Sequence, residues 1–310
     1  MMLQETATLA NGVTIPRLGL GTWFIDDKDV VPAVREALRL GYRHVDTAPA
    51  YRNERGVGRA VRDSGLPREE VFVTSKVDAG AKTHGAARDG IDASLRQTGL
   101  DHLDLVLVHS PTPWRAFGGT ERYLEENQEV WRALEEALAA GKVRATGLSN
   151  FEVADVDNIL GGCSVAPMVN QVLAHIGNTP HELIRSCQDR GILVEAYSPV
   201  AHDELLGNQQ VARVAERYAV SVPQLCVRYC LQLGLVPLPK SADPDHLREN
   251  AEVDFTISDE DMDLLRGVEP LTDYGDHRAL TIYGGHRDVR SLLALARGAL
   301  RSRLRPTRAR

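Results

Sequence analysis

Apolar positions along this chain alternate between two rhythms. Short runs rich in Val, Ile and Leu occupy 18–20, 44–46, 71–76, 103–109, 143–149, 168–171, 193–197 and 236–239, as buried strands do. Between them, at 30–40, 54–64, 86–98, 126–140, 153–160, 180–190 and 223–233, apolar residues recur every three to four positions, the period of a helix. Gly41, Gly99, Gly141, Gly191 and Gly234 each stand where such a helix should end in a left-handed cap. Residues 8–15 read as a short hairpin, with Asn11-Gly12 expected to take positive φ at both turn positions.

Eight strands alternating with helices predict a parallel sheet. Two features favour its closure into a (β/α)8 TIM barrel, an α/β fold. The count is eight, and no G-x-G-x-x-G follows the first strand, because Gly19-Leu20-Gly21 runs into Thr22-Trp23-Phe24. The expected organisation is a barrel with an N-terminal β-hairpin over 1–268. A C-terminal extension over 269–310, a substrate loop and a basic tail, belongs to the same domain. In that tail Leu292, Leu293, Leu295, Leu300 and Leu304 are spaced as on an amphipathic helix, expected to pack on the barrel or to fray, with a membrane-surface or partner helix as the alternative.

The 310 residues are enough for one large barrel, and 43% apolar with 25% charged residues is an ordinary globular composition. The net charge of −7 is divided unevenly. Residues 273–310 hold nine Arg against three Asp, a net +6 that leaves −13 on the rest. An acidic body excludes nucleic acid as the main partner. Cys163, Cys187, Cys226 and Cys230 form no C-x-x-C, so core thiols are expected and no metal site. Neither a signal-peptide pattern nor a long apolar run is present, so the expected setting is cytoplasmic with no membrane partner.

In a barrel of this kind catalytic groups come from the C-terminal strand ends and the loops after them. Those ends carry Asp46 with Tyr51 in the loop beyond, Lys76, His109, Ser149-Asn150, Gln171, Tyr197 and Lys240-Ser241. Singly, each has an ordinary structural explanation as a turn former, a cap or a solvated charge. Jointly, they converge on one face. Reduction of a carbonyl builds negative charge on oxygen and needs a general acid. Tyr51 can be that acid, with Lys76 expected to lower its pKa, Asp46 to hold Lys76, and His109 to donate a hydrogen bond to the oxygen. The hydride must come from a cofactor, since no side chain carries one.

These residues resemble the aldo-keto reductase family. Asp46-Thr47-Ala48-Pro49-Ala50-Tyr51-Arg52-Asn53-Glu54 is similar to its D-T-A-x-x-Y-x-N-E signature. Thr74-Ser75-Lys76, Leu107-Val108-His109, Gly147-Leu148-Ser149-Asn150-Phe151 and Leu238-Pro239-Lys240-Ser241 follow in family order, so that the match covers about residues 6 to 268. The resemblance implies NADPH bound without a Rossmann domain, and a catalytic tetrad of Asp46, Tyr51, Lys76 and His109. It implies cofactor contacts from Thr22, Ser149, Asn150, Gln171, Tyr197, Ser198, Lys240, Ser241, Glu249 and Asn250. His246 stands where the family often has a phosphate-binding Arg, so NADH should be tolerated beside NADPH. Ser198-Pro199-Val200-Ala201-His202 departs from the family's S-P-L-G, and Ser110 stands where Trp is common.

Trp23, Ser110, Trp114 and Phe117 are the expected substrate pocket, with Tyr274, Tyr283 and Gly284-Gly285 of the extension folding across it. The expected partner is a small-molecule carbonyl, met by a monomer or a weak homo-oligomer. Reduction of a cyclic imine by the same site, a cofactor-sensing barrel, and a barrel hydrolase or aldolase are the alternatives. The complete tetrad speaks against the sensor. An aldolase has no use for Ser149-Asn150 with Lys240-Ser241.

Overall fold

The computed structural model describes residues 2–277 and 280–283. The predicted tail helix over 290–304 and Gly284-Gly285 lie outside these residues.

A short hairpin, β1 (Thr6–Thr8) with β2 (Thr14–Pro16), precedes eight parallel strands: β3 (Leu20–Gly21), β4 (His44–Asp46), β5 (Phe72–Val77), β6 (Leu103–Val108), β7 (Val143–Ser149), β8 (Val169–Leu173), β9 (Leu193–Tyr197) and β10 (Val236–Leu238). Each pairs with its neighbour in chain order. The ring closes where β3 meets β10, through Gly19 N to Pro237 O and Gly21 N to Pro239 O, both 3.1 Å. Closure requires glycine here: a Cβ on Gly21 would lie 2.8 Å from the Leu238 carbonyl oxygen. The expected eight-stranded barrel is therefore what the chain forms.

The hairpin differs from its expected geometry. Only Gly12 takes positive φ. The tight turn runs one residue earlier, with Gly12 N donating to Leu9 O, and Leu9 N donates to Val13 O across a five-residue loop. The earlier turn frees Leu9 to point inward. With Ile15 it packs on Phe72, Leu105, Leu107 and Val169, plugging the barrel at the end remote from the polar strand ends.

Helices α1 (Asp27–Leu40), α2 (Glu54–Arg62), α3 (His84–Thr98), α4 (Leu124–Ala139), α5 (Val153–Leu160), α6 (His181–Asp189), α7 (Gln209–Arg217), α8 (Val222–Gln232), α9 (Pro244–Ala251) and α10 (Asp259–Arg266) surround the sheet. Their apolar faces meet the outer faces of the strands in one continuous core that includes the fully buried Trp131, Tyr42 and Tyr229. All five glycines at the expected helix ends take positive φ. No helix among the described residues is long and apolar enough to cross a membrane.

Candidate active site

Asp46 ends β4, Lys76 lies near the end of β5, and His109 follows β6, so adjacent strands deliver all three to one mouth of the barrel. Tyr51 is carried there by the 3-10 turn Pro49–Tyr51. The Lys76 ammonium is fully buried and donates to Asp46 Oδ2 at 2.5 Å and to Thr47 O at 3.1 Å. It sits 5.0 Å from the centre of the Tyr51 ring, and the Tyr51 and His109 rings are 5.8 Å apart, nearly perpendicular.

Two residues, Asn53 of the signature stretch and Thr22, fix the loop under Tyr51. Asn53 donates to Thr22 O and Ile25 O, both at 2.9 Å, and accepts from Thr47 Oγ1 at 2.7 Å. Thr22 Oγ1 donates to Asp46 O at 2.8 Å. The turns after β3 and β4 thus form one hydrogen-bonded unit that sets Trp23 and Tyr51 side by side, 6.2 Å between ring centres.

The electrostatics correct one expectation. Burial, then the charge of Asp46, then that of Glu195, push the Tyr51 phenol well above its ordinary value. The expected lowering by Lys76 does not prevail. Its charge is matched by Asp46 at 2.5 Å, so Tyr51 faces a dipole rather than a bare cation. Burial, then the Lys76 charge, hold His109 well below the ordinary imidazole range, hence neutral.

A second set of side chains joins this cluster. Gln171, inside β8 rather than at its end, donates from Nε2 to Asp46 Oδ2 at 2.9 Å and to Glu195 Oε2 at 2.8 Å. Asn150, at φ 62, donates to His109 O and Ser149 Oγ, both at 3.0 Å, and accepts from Tyr197 OH at 2.7 Å. Glu195 is fully buried on β9 and was not singled out, although a lone charge in Leu-Val-Glu-Ala-Tyr signals a special environment.

Around the mouth, Trp114 packs edge-on to His109 at 5.0 Å and Phe117 tilts against Trp114 at 5.6 Å. Ser110 is fully buried, with its hydroxyl accepting from Thr112 N at 3.2 Å. From the C-terminal segment, Tyr283 OH bonds Ser198 Oγ at 2.8 Å and His202 Nε2 at 2.6 Å. Tyr274 bonds His175 Nε2 at 2.9 Å and stacks on Tyr283 at 4.3 Å.

The remaining predicted cofactor residues follow β10. Lys240, exposed, bridges to Gly21, one residue from Thr22. Ser241 Oγ accepts from Asp243 N at 3.0 Å, His246 is exposed on the first turn of α9, and Glu249 and Asn250 lie on its last. The Tyr197 ring, the Gln171 amide and the Lys240 ammonium offer an aromatic face, an amide acceptor and a cation, group types that fit a nicotinamide ring, its carboxamide and a phosphate.

The aldo/keto reductase family model matches residues 17–270. The chain belongs to the aldo/keto reductase family. It is 41% identical over 268 residues to the glyoxal reductase of Bacillus subtilis (strain 168), which covers 85% of this chain and 92% of that protein. A crystal structure of an aldo/keto reductase from Brucella melitensis superposes with a TM-score of 0.80 at 35% identity, over 86% of this chain and 98% of that one. An aldo-keto reductase crystallised with NADPH superposes with a TM-score of 0.79 at 32% identity, over 87% and 89%. This aldo-keto reductase is accordingly an NAD(P)H-dependent oxidoreductase.

Proposed function

We propose that this enzyme reduces the carbonyl of an aldehyde or ketone to an alcohol, with NADPH as cofactor and Tyr51 as general acid. The observation that carries the reading is the connected cluster of Tyr51, Lys76, Asp46 and His109 at one mouth of the closed barrel. The reduced nicotinamide supplies the hydride. His109, neutral through burial, has one ring N–H to offer the substrate oxygen and so orients the carbonyl. Tyr51 keeps its proton until the oxygen becomes basic, because burial disfavours the phenolate. As the carbonyl carbon takes the hydride, the oxygen takes the Tyr51 proton, and the phenolate left behind faces the Lys76 ammonium 5.0 Å from its ring centre.

Ser149, Asn150 and Gln171 would hold the nicotinamide carboxamide and Tyr197 its ring face. Thr22 and Ser198 complete the contacts along the cofactor, and Glu249 and Asn250 would meet the adenine. Lys240 and Ser241 would hold the 2′-phosphate, which favours NADPH. His246, on the first turn of α9 in place of the family's arginine, leaves NADH usable. Trp23, Trp114 and Phe117 frame an aromatic mouth for a small carbonyl compound. The likeness to a glyoxal reductase puts short dicarbonyls first in the search for substrates.

The test is loss of reduced-nicotinamide absorbance with glyoxal, other aldehydes, ketones and cyclic imines. Tyr51→Phe should lower kcat/KM on carbonyls by about 10²- to 10⁴-fold while NADPH still binds. Wild-type rates in that variant, or turnover of imines alone, would refute the reading.

A further inference from the structure

Beneath the Asp46–Lys76 pair, β9 places a carboxyl group that the mechanism above does not use. Glu195 is fully buried, its Oε2 accepts from Gln171 Nε2 at 2.8 Å, and its Oε1 has no hydrogen-bond partner among the described residues. We propose that Glu195 is a positioning residue for hydride transfer, acting through Gln171, whose amide it fixes with the carbonyl oxygen as the end offered to the nicotinamide carboxamide. The inference rests on the reading of the site given above.

Hydrogen-bond chemistry decides the orientation. Asp46 Oδ2 is bound to the Lys76 ammonium and can only accept, so the Gln171 atom 2.9 Å away must be the nitrogen. That nitrogen has two hydrogens. One goes to Asp46 and the other to Glu195, so both are spent and the amide cannot flip. Without Glu195 a single bond on one side would hold it.

The carboxyl also matters through its charge. The titratable groups facing it are His44 and Asp46 on β4, Lys76 on β5 and Tyr51 beyond β4. Lys76 is already matched by Asp46. His44 Nε2 lies 3.7 Å from Oε1 but is bonded to Thr74 Oγ1 at 3.0 Å, and burial pulls its pKa to about 3, so it is neutral. An ionised Glu195 would therefore leave the buried cluster with an unmatched negative charge. Burial, then Asp46, push its pKa up to about 8. Below that pH the protonated acid does not oppose the phenolate forming on Tyr51; above it, a second anion does.

Glu195→Gln keeps a neutral acceptor of the same shape, and Glu195→Leu removes the acceptor. Three readouts apply: the pH profile of kcat/KM for carbonyl reduction, the NADPH Kd from protein fluorescence, and Tm from pH 5 to 9. In the wild type kcat/KM should fall above about pH 8. Glu195→Gln should retain the wild-type NADPH Kd and lose that inflection. Glu195→Leu should weaken NADPH several-fold. The folded-state pKa lies above the ordinary 4.5, so wild-type stability should fall relative to Glu195→Gln as pH rises from 4.5 to 8, and the gap should then level off. An unchanged inflection in Glu195→Gln, or wild-type NADPH affinity in Glu195→Leu, overturns the proposal. Kd and Tm need no turnover, so they decide the role of Glu195 even if no carbonyl is reduced. If Glu195→Leu does not fold, Glu195→Gln still decides it.

Discussion

Removing the Lys76 ammonium should damage stability and chemistry together, and a second substitution should restore only the first. Lys76 is buried, and its ammonium donates to Asp46 Oδ2 at 2.5 Å. Lys76→Met keeps most of the side-chain volume but leaves the Asp46 carboxylate buried without its cation. Breaking a buried pair in this way costs about 3–5 kcal/mol. Gln171 still donates to Asp46 at 2.9 Å, so the lower end, about 3 kcal/mol, is expected. Unfolding entropy is about 2.1 cal/mol/K per residue, or about 0.65 kcal/mol/K for 310 residues, so Tm should drop by about 5 °C. In the double variant Asp46→Asn with Lys76→Met no charge is left to desolvate. An asparagine carbonyl can still accept from Gln171, and most of the loss should be recovered. Activity should not follow, because the phenolate on Tyr51 then faces no cation. Both variants should fall about 10²-fold or more in kcat/KM. The assays are calorimetric Tm at pH 7 and initial rates on one aldehyde at saturating NADPH. A double variant as unstable as Lys76→Met would refute the desolvation argument, and one as active as wild type would refute the role of Lys76 in the chemistry.

Two further outcomes are expected. His246→Arg should tighten NADPH by several-fold and leave NADH within about twofold, since the planar Arg fork grips a dianionic phosphate in two places and an imidazole does not; equal effects on the two Kd values would place His246 away from the 2′-phosphate. Gly58→Ala should destabilise the crossing of α2 and α3 by about 2–3 kcal/mol or more, because the new Cβ would lie 1.9 Å from the Thr98 carbonyl; a Tm within about 1 °C of wild type would contradict that packing.

The barrel was legible because its signals are local and repeat. Eight apolar runs, each followed by a helix period and a left-handed glycine, required no long-range information. The same locality hid α7, α9 and α10. Their caps are ordinary, with the side chains of Asn208, Asp243 and Ser258 each accepting a first-turn N–H. Their apolar stripes are narrow, with Leu247 and Asn250 the buried residues of α9. The hairpin turn was misplaced because tertiary packing overrode turn preference: Leu9 is buried with Ile15 in the cluster that plugs the barrel at the end remote from Tyr51. Asp46, Lys76 and His109 were legible because the fold rule names the strand end as the place to look. Glu195 was not, because it lies two residues before a strand end and its partners, Gln171 and Asp46, are far away in sequence.

The stretch after β9 shows why a departure from the family pattern need not disable the site. Ser198, Ala201, His202 and Asp203 all have φ between 51 and 71. Ala201 occupies the place of the glycine in the family's S-P-L-G. Each such non-glycine residue costs on the order of 1 kcal/mol or more, so local preference alone would not hold this turn. Its own bonds, Ala201 N to Ser198 O at 2.9 Å and Asp203 N to Val200 O at 3.2 Å, close it, and a contact from the C-terminal segment braces it. Tyr283 OH bonds both Ser198 Oγ and His202 Nε2, and His202 stacks on His277 at 4.0 Å. The strained turn and the C-terminal segment therefore depend on each other, and both border Trp23 at the mouth. In this enzyme the extension is part of what shapes the wall beside Tyr197, a role that no reading of residues 198–203 alone would assign to it.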